Sequence, residues 1–365
     1  MSSALFSPIS IGQLTLKNRI MVSPMCQYSA IDGLPTEWHP IHLGSMAISG
    51  ASLVTVEATA VTPEGRITPQ CLGLWSDRHA EALAPVIASV RAVSDTPLSL
   101  QIGHAGRKAS AAVPWEGGRQ VGLDAGGWDI VGPMAEALRE GERAPAALDD
   151  EGIGRIVTAF ADTARRAAEL GFDMLELHGG HGYLISSFVS PITNRRNDGW
   201  GGSLENRIRL PLEILRAVRA VWPAERPIGV RINGTDFAEG GSTIEDVLAY
   251  AAALKAAGAD VITASGGGVT LAQKITPAPG YQLPAAARIR AETGVTTCAV
   301  GMIHDAHQAE AIIAEGKADM VALARAMLFN PRWPLHAALA LGEDAAWPNQ
   351  YERAAPRAWP LAKAS

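Results

Sequence analysis

Few cysteines are present in this sequence, and their number and spacing exclude several kinds of site. The 365 residues include three, at Cys26, Cys71 and Cys298, which are too few and too scattered for a disulfide framework. No Cys-x-x-Cys pair is available to hold zinc or an iron–sulfur cluster. We therefore expect no metal site, and any thiol chemistry belongs to a single residue.

Clustered positive charge and long apolar runs are also missing. The net charge is −6, with no block of lysine or arginine, which argues against binding to nucleic acid or to an anionic membrane. The first residues lack the basic and apolar regions of a secretory signal, and no apolar run approaches the roughly 18 residues of a membrane span. The expected partners are small molecules, and the expected location is the cytoplasm.

Short runs rich in valine, isoleucine and leucine alternate with longer amphipathic segments, such as 151–170 and 244–257. This alternation is typical of strand–helix units and a parallel sheet. Eight strands are predicted, at 19–24, 52–57, 97–102, 173–178, 227–232, 260–265, 296–301 and 319–324. Eight such units close into a (β/α)8 TIM barrel, a single α/β domain over residues 1–365 whose large core suits a chain with 47% hydrophobic residues.

An open, doubly wound sheet is the alternative fold. It usually carries a Gly-x-Gly-x-x-Gly motif after its first strand, whereas here the first predicted strand leads into Ser23-Pro24-Met25-Cys26. One segment interrupts the barrel pattern. Residues 104–148 are rich in glycine, proline and tryptophan and too long for a plain strand–helix loop, so we predict a lid or small hairpin over the barrel mouth after strand three.

The fourth predicted strand ends in the most informative residues of the chain. His178 closes the strand, and His181 and Tyr183 follow among glycines, at the end of a barrel strand where such enzymes keep their chemistry. Two imidazoles can donate hydrogen bonds to a carbonyl or nitro oxygen, and a phenol still holds its proton at neutral pH. The three rings could polarise a substrate and protonate it. The alternative is a loop whose histidines cap helix carbonyls or bind a metal.

Other strand ends also carry unusual residues. Gln101 and Arg231 are expected to point from neighbouring strand ends into the barrel mouth, where an amide and a fixed cation suit the edge of an isoalloxazine ring. Gly301 and Arg325 follow strands seven and eight, where barrels bind phosphate. The structural alternatives are a tight turn at Gly301, a surface ion pair at Arg325, and pairing of Arg231 with Glu176 or Asp260.

These residues, in their order along almost the whole chain, resemble the Old Yellow Enzyme family of FMN-dependent ene-reductases. The motifs that carry the resemblance are Lys17-Asn-Arg-Ile20, Ser23-Pro-Met-Cys-Gln-Tyr28, Glu64-Gly-Arg66, His104-Ala-Gly-Arg-Lys108, His178 to Tyr183, Ser190 to Asp198, Gly201 to Arg207, Pro279-Gly-Tyr-Gln282 and Val300-Gly-Met-Ile303. Cysteine at position 26, with Tyr28 and Gln350-Tyr-Glu-Arg353, resembles a thermophilic-like subgroup of that family. From the sequence alone, Cys26 is equally well an inert buried thiol.

The resemblance implies a role for each of these residues. Tightly but non-covalently bound FMN would be contacted by Ser23, Pro24, Met25, Cys26, Ala58, Gln101, His178, Arg231, Gly301 and Arg325. His178 and His181 would hold the electron-withdrawing oxygen of the substrate, Tyr28 would contact the substrate, and Tyr183 would donate a proton. Cys26 would adjust the redox behaviour of the flavin rather than act as a nucleophile.

The resemblance also implies the reaction and the assembly. NADPH would reduce FMN and leave, and an activated alkene would take its place. The expected assembly is a homodimer or homotetramer, in which Arg353 of the C-terminal segment 343–365 reaches the active site of a neighbouring subunit. Ala324 departs from the family pattern, because a glycine usually precedes the phosphate-binding arginine.

Two functions of other classes remain open at this point, and a third, related enzyme class is disfavoured. A metal-dependent lyase or hydrolase would use His178 and His181 as ligands but needs carboxylates at neighbouring strand ends, where only Glu57 is close. A flavin-storage protein would not need Tyr183. A dienoyl-CoA reductase would need an iron–sulfur cysteine cluster and further domains.

Overall fold

The computed structural model describes residues 3–359 and 361–362. Its centre is a closed barrel of eight parallel strands, in the order β3-β4-β5-β8-β9-β10-β11-β12. The strands of the chain are β1 (Ile9–Ile11), β2 (Leu14–Leu16), β3 (Ile20–Val22), β4 (Leu53–Ala60), β5 (Leu98–Gly103), β6 (Val131–Gly132), β7 (Ala146–Ala147), β8 (Met174–Gly179), β9 (Ile228–Asn233), β10 (Val261–Ser265), β11 (Thr296–Ala299) and β12 (Met320–Leu323). The predicted TIM barrel is confirmed, and each of its strands overlaps one of the eight predicted ranges.

Helices follow the barrel strands and cover them. They are α1 (Trp38–Ala47), α2 (Asp77–Arg91), α3 (Asp150–Glu169), α4 (Leu184–Val189), α5 (Leu204–Arg207), α6 (Arg209–Val221), α7 (Ile244–Ala256), α8 (Leu283–Thr293), α9 (Ala306–Ala314), α10 (Arg325–Phe329) and α11 (Trp333–Ala340). Short 3-10 helices lie at Pro63–Gly65, Gly106–Lys108, Pro114–Glu116, Leu123–Ala125 and Asn349–Ala354.

Local sequence explains where the best-predicted helices begin. The Asp149 carboxylate accepts a hydrogen bond from the Gly152 amide at the start of α3, at 2.7 Å, and the Thr243 hydroxyl accepts one from the Asp246 amide at the start of α7, at 3.1 Å. Each satisfies an amide that a helix start leaves without an intrahelical partner. The apolar faces of these helices pack on strands that are buried throughout, and this two-sided burial is why the strands are continuous apolar runs.

An N-terminal hairpin, β1–β2, closes the bottom of the barrel. Its residues Ile11 and Leu16 pack against the first residues of several barrel strands, including Leu53, Met174 and Met320. This plug leaves the opposite, C-terminal end of the barrel as the open one, and the chemically interesting residues lie at that end.

The segment between β5 and α3 has little regular structure. Within 104–148 the chain forms three short 3-10 helices, the two-residue parallel pair β6–β7 and an isolated antiparallel bridge between Ala111 and Gln120. Its contacts are with loops at the barrel mouth: the Lys108 ammonium donates to the carbonyl of His181 at 2.8 Å, and the Trp128 indole donates to that of Glu64 at 2.9 Å.

Candidate active site

A cavity of about 480 Å³ opens at the C-terminal ends of the barrel strands. Five residues singled out from the sequence line it: Ser23, His181, Arg231, Gly301 and Arg325. They belong to five different strands or the loops after them, so the closed barrel brings together residues that are up to 302 positions apart. A concave site at this end of a barrel is where substrates and cofactors bind.

His178 presents a hydrogen-bond donor. The amide of Gly180 donates to its Nδ1 at 3.3 Å, which makes Nδ1 the acceptor of a neutral ring and leaves the proton on Nε2. Burial, with Arg231 and Lys108 nearby, holds the pKa of His178 well below its ordinary value. The ring is therefore neutral at physiological pH and offers one N–H.

His181 is held by a serine from another strand. Its Nε2 lies 2.7 Å from Oγ of Ser265, and its own amide donates to Oδ1 of Asn233 at 2.9 Å. The backbone of His181 is left-handed, with φ of 62°, a conformation uncommon for residues other than glycine. Burial and the nearby cations lower the pKa of His181 well below its ordinary value, so this imidazole is neutral as well.

Tyr183 completes a cluster of three rings. Its ring centroid lies 4.8 Å from that of His178 and 6.5 Å from that of His181, and the two imidazoles are 5.1 Å apart, with every pair close to perpendicular. Burial raises the pKa of the Tyr183 phenol well above its ordinary value. The phenol keeps its proton at neutral pH, beside two imidazoles that can each donate a hydrogen bond.

Arg231 is a buried cation held by two serines. Its Nη1 donates to the hydroxyl of Ser23 at 3.1 Å and its Nη2 to that of Ser265 at 3.3 Å, while Nε is buried with no partner among the described residues. The sequence alternative of an ion pair is wrong, because Glu176 bonds to Gln101 and Thr263, and Asp260 pairs with Arg219.

Gln101 lies deeper in the barrel. Its Nε2 donates to Oε1 of the fully buried Glu176 at 2.7 Å, and the Thr263 hydroxyl donates to the other oxygen of Glu176 at 2.7 Å. The Gln101 amide therefore turns its nitrogen toward Glu176 and its oxygen away from it. Strand β8 separates Gln101 from Arg231, so the expectation that the two lie on neighbouring strands is wrong.

Gly301 and Arg325 form one wall of the cavity. Gly301 has φ of 112°, and a Cβ there would lie 3.1 Å from Cβ, Cγ and the backbone nitrogen of Gln282. The position therefore needs glycine. Arg325 begins α10 and is exposed, and it forms no salt bridge with another described residue. Ala324 before it has φ of −109°, a negative value that does not itself require the glycine usual in the family.

The loop after β3 holds Pro24, Met25, Cys26 and Tyr28, all half-buried, and Cys26 and Tyr28 lie near Tyr183. The Glu57 carboxylate accepts from the amide of Gln27 at 3.1 Å and anchors this loop. A register shift between Val56 and Thr59 in β4 brings Ala58 to the same region, in a small pocket that it shares with His178 and Tyr183. Such bulges re-aim side chains next to active sites.

Cys26 has a second cysteine as its neighbour. Cys71 lies beside Cys26, and the amide and hydroxyl of Thr68 each lie 3.4 Å from the Cys71 sulfur. The Cys71 contact, followed by burial, raises the pKa of Cys26 well above its ordinary value. Cys26 is therefore a neutral thiol, and Tyr28, whose ring contacts Trp115 edge-on at 5.6 Å, lies beside it.

Arg353 lies apart from this cavity within its own chain. It belongs to the 3-10 helix Asn349–Ala354 and its side chain is exposed. Positions 360 and 363–365 of the predicted C-terminal segment lie outside the described residues.

Several cavity residues were not predicted from the sequence: Ser265, Tyr281, Gln282, Met302 and His304. Ser265 lies at the end of its predicted strand, and this position was its only sequence signal for a place in the site. Tyr281 and Gln282 belong to the Pro279-Gly-Tyr-Gln282 motif, which was noticed without a role.

Among the described residues, no helix is both long enough and apolar enough to cross a membrane. Within the same residues, no group of three or more histidine, cysteine, aspartate or glutamate side chains could hold a metal ion.

Comparison with known proteins places this site in context. A model of the NADH:flavin oxidoreductase / NADH oxidase family matches residues 4–343. The chain is 43% identical over 355 residues to an NADPH dehydrogenase of Geobacillus sp. (strain WCH70), covering 97% of this chain and 99% of that protein.

Solved structures share the architecture. Morphinone reductase superposes with a TM-score of 0.77 at 28% identity, covering 96% of this chain and 92% of that one, and another of its structures is a complex with tetrahydroNAD. A 2-naphthoyl-CoA reductase complex superposes with a TM-score of 0.82 at 27% identity over 93% of this chain. The chain spans about half of that longer protein, 52% of its length.

Proposed function

The chain belongs to the NADH:flavin oxidoreductase / NADH oxidase family, and from this membership we propose that it uses NADPH to reduce the C=C bond of α,β-unsaturated carbonyl compounds. The resemblance to Old Yellow Enzyme is thereby confirmed at the level of the family. The protein is an FMN-dependent oxidoreductase of nicotinamide nucleotides. The activated alkene and the proton donor are the proposed, finer part.

The residues of the cavity fit FMN. The guanidinium of Arg231 is buried, and its Nε has no hydrogen-bond partner among the described residues. A carbonyl oxygen of the electron-poor flavin ring would supply that partner. Gly301 lets the backbone approach a ligand closely, and Arg325 adds a cation that no described carboxylate pairs with. These are the requirements of a phosphate site. Ser23, Pro24, Met25, Cys26, Ala58, Gln101 and His178 would contribute the remaining contacts.

FMN, when bound, supplies a hydride acceptor and donor. The donors of His178 and His181 would hold the substrate oxygen, where negative charge develops as hydride arrives at the β carbon. Both imidazoles are neutral because burial and Arg231 lower their pKa values, so they stabilise that charge as hydrogen-bond donors. One such preorganised donor is typically worth about 2.7–4 kcal/mol of transition-state stabilisation.

Tyr183 is the proposed proton donor to the α carbon. Its raised pKa means that the phenol is protonated before the reaction, and the Lys108 ammonium, 5.1 Å from the ring centroid, favours transient negative charge on it. Burial and the neighbouring Arg107 and Arg139 lower the pKa of Lys108 to about 8, so that cation is mostly charged at pH 7. Tyr28 would contact the substrate from the opposite loop.

The single observation that carries the proposal is the convergence of three neutral rings, His178, His181 and Tyr183, beside the cavity that Arg231 and Gly301 line. The test is anaerobic. The purified yellow protein should be bleached by NADPH and should regain its absorbance when 2-cyclohexenone is added, with cyclohexanone as the product.

Tyr183→Phe is the matched variant. It should be bleached by NADPH at the wild-type rate but should be reoxidised by the enone more slowly, since only the second half-reaction needs the phenol. A protein that NADPH bleaches but no activated alkene reoxidises would overturn the ene-reductase assignment and leave the family assignment intact.

We also propose a homo-oligomer in which Arg353 serves the neighbouring active site. Arg353 is exposed and remote from its own cavity, as such a role requires. Mixing Arg353→Ala and Tyr183→Phe subunits should restore activity, because some sites then contain both wild-type residues. Failure of mixed oligomers to recover activity would contradict this arrangement.

A further inference from the structure

Gln282 carries an unsatisfied acceptor at the cavity wall. It lies on the connection between β10 and β11, just before α8, and is 8% exposed. Its Nε2 donates to the Tyr281 hydroxyl at 2.5 Å, whereas its carbonyl oxygen, Oε1, is buried with no hydrogen-bond partner among the described residues. A buried carbonyl without a donor is unfavourable, so this oxygen is suited to receive a donor from a ligand.

The position of Gln282 restricts which part of a ligand can meet it. The side chain packs against Gly301, since a Cβ on that glycine would lie 3.1 Å from Cβ and Cγ of Gln282. Around the barrel mouth, Gln282 therefore lies between Ser265 at the end of β10, next to Arg231, and the loop of Gly301 after β11. Arg231 is suited to the flavin ring, and the Gly301 loop with Arg325 to the phosphate.

The groups that FMN offers determine which of them can donate a hydrogen bond to Oε1 of Gln282. A phosphate dianion offers acceptors and no donor, so it does not complement a carbonyl oxygen. The ring has one N–H, and the chain that joins ring to phosphate has three hydroxyl groups. We propose that Gln282 is a cofactor-binding residue that accepts a hydrogen bond from a hydroxyl of the polyol chain. This inference rests on the proposed occupancy of the cavity by FMN.

The role of Tyr281 follows from the same geometry. Its hydroxyl occupies the Nε2 end of the Gln282 amide, and its ring stacks at a tilt on Phe237, with centroids 5.9 Å apart. Tyr281 is thus a positioning residue that holds the amide with its oxygen toward the ligand. If the amide were turned, the same side chain would instead donate to the phosphate, and the two arrangements make opposite predictions.

The experiment compares three flavins on the full chain freed of its cofactor. FMN has ring, polyol and phosphate, riboflavin lacks the phosphate, and lumiflavin lacks both the polyol and the phosphate. Dissociation constants are measured by flavin fluorescence for the wild type and for Gln282→Leu, which keeps the size of the side chain but removes its polar atoms. Gln13→Leu is the control, because this exposed amide lies on the turn between β1 and β2, at the closed end of the barrel.

In Gln282→Leu, affinity for FMN and for riboflavin should each fall about fivefold, the range of one lost neutral hydrogen bond, while lumiflavin affinity stays within twofold of the wild type. Gln13→Leu should change none of the three. Arg325→Leu should weaken the binding of FMN and leave the affinity for riboflavin unchanged.

Three outcomes would overturn the inference. Loss of FMN affinity without loss of riboflavin affinity would mean that the amide donates to the phosphate. An equal loss for all three flavins would mean a packing effect on the ring, and no loss would mean no contact. A wild-type chain that binds riboflavin and FMN equally poorly would instead refute the proposed site itself.

Discussion

The hydroxyl of Ser265 lies 2.7 Å from Nε2 of His181. The same hydroxyl accepts from Nη2 of Arg231 at 3.3 Å, which leaves its own proton available to the imidazole. A ring that accepts at Nε2 carries its proton on Nδ1. One serine therefore links the cation at the proposed flavin site to the tautomer of a histidine at the proposed substrate site.

Replacement of Ser265 by alanine should lower kcat more than it raises KM, because the donor of His181 is no longer fixed. We expect about a tenfold loss of kcat/KM with an activated enone, smaller than for removal of the imidazole itself. Steady-state kinetics under anaerobic conditions measure it. Ser23→Ala is the control, since Ser23 contacts Arg231 but not His181. Equal effects of the two variants would contradict a role through the histidine.

The barrel could be predicted from sequence because its strands are buried on both sides. Such strands appear in the sequence as continuous apolar runs. The hairpin β1–β2 was not predicted. Its strands have three residues each, and such short alternating runs are a weak signal. What stabilises the hairpin is contact with the barrel floor at residues such as Leu53 and Met320, which are distant in sequence.

The site was predicted where a residue type is unusual at a strand end. His178, Arg231 and Gly301 stood out in this way. Gln282 and Ser265 did not, because glutamine and serine are ordinary loop residues and their importance depends on neighbours from other strands. The partners of Arg231 were also beyond sequence reasoning: the structural alternative was pairing with Glu176 or Asp260, whereas two serines are found, since both carboxylates are already engaged by other side chains.

Gly301→Ala should weaken both folding and FMN binding. The backbone at φ of 112° is strained for alanine, and the new methyl group would push on Gln282 at 3.1 Å. We expect a loss of about 1–3 kcal/mol in the free energy of unfolding and a higher dissociation constant for FMN. Urea unfolding and flavin titration measure the two effects.

Gly171→Ala is the control for that substitution. Gly171 also has a positive φ, of 81°, but no atom lies within 4 Å of the added Cβ. It should therefore lower stability without changing FMN affinity. If Gly301→Ala bound FMN as tightly as Gly171→Ala does, the loop of Gly301 would not be part of the cofactor site.

Cys26 should react slowly with iodoacetamide at pH 7–8. Contact with Cys71 and burial raise its pKa, and only the thiolate is a nucleophile. Contact with Cys26, and then the contacts of Thr68 with its sulfur, lower the pKa of Cys71. In Cys71→Ser the pKa of Cys26 should fall and its alkylation should become faster. Mass spectrometry of the labelled peptide measures the rate across pH. An unchanged rate in Cys71→Ser would mean that burial alone protects Cys26.

Stability should fall as the pH is lowered from 7.5 to 5.5, because several buried histidines resist protonation. Burial lowers the pKa of His104 to about 4, and His178 and His181 are also lowered, whereas an unfolded chain takes up these protons near the ordinary value of about 6.5. Below that value the unfolded state binds more protons than the folded state, so the free energy of unfolding decreases by about 1.4 kcal/mol per pH unit for each such histidine.

Above pH 6.5 this contribution is fully present and constant. Glu57 has the opposite effect on the free energy of unfolding. Burial raises its pKa, so its contribution to stability is lost as the pH rises. Urea unfolding at pH 5.5, 6.5 and 7.5 measures the sum. In His178→Asn, the amide oxygen of asparagine can still accept from Gly180. Below pH 6.5 the free energy of unfolding should then change less steeply with pH, by the contribution of one histidine. Equal slopes in wild type and His178→Asn would show that His178 takes up its proton in the folded protein, and the neutral donor proposed for the substrate oxygen would then be wrong.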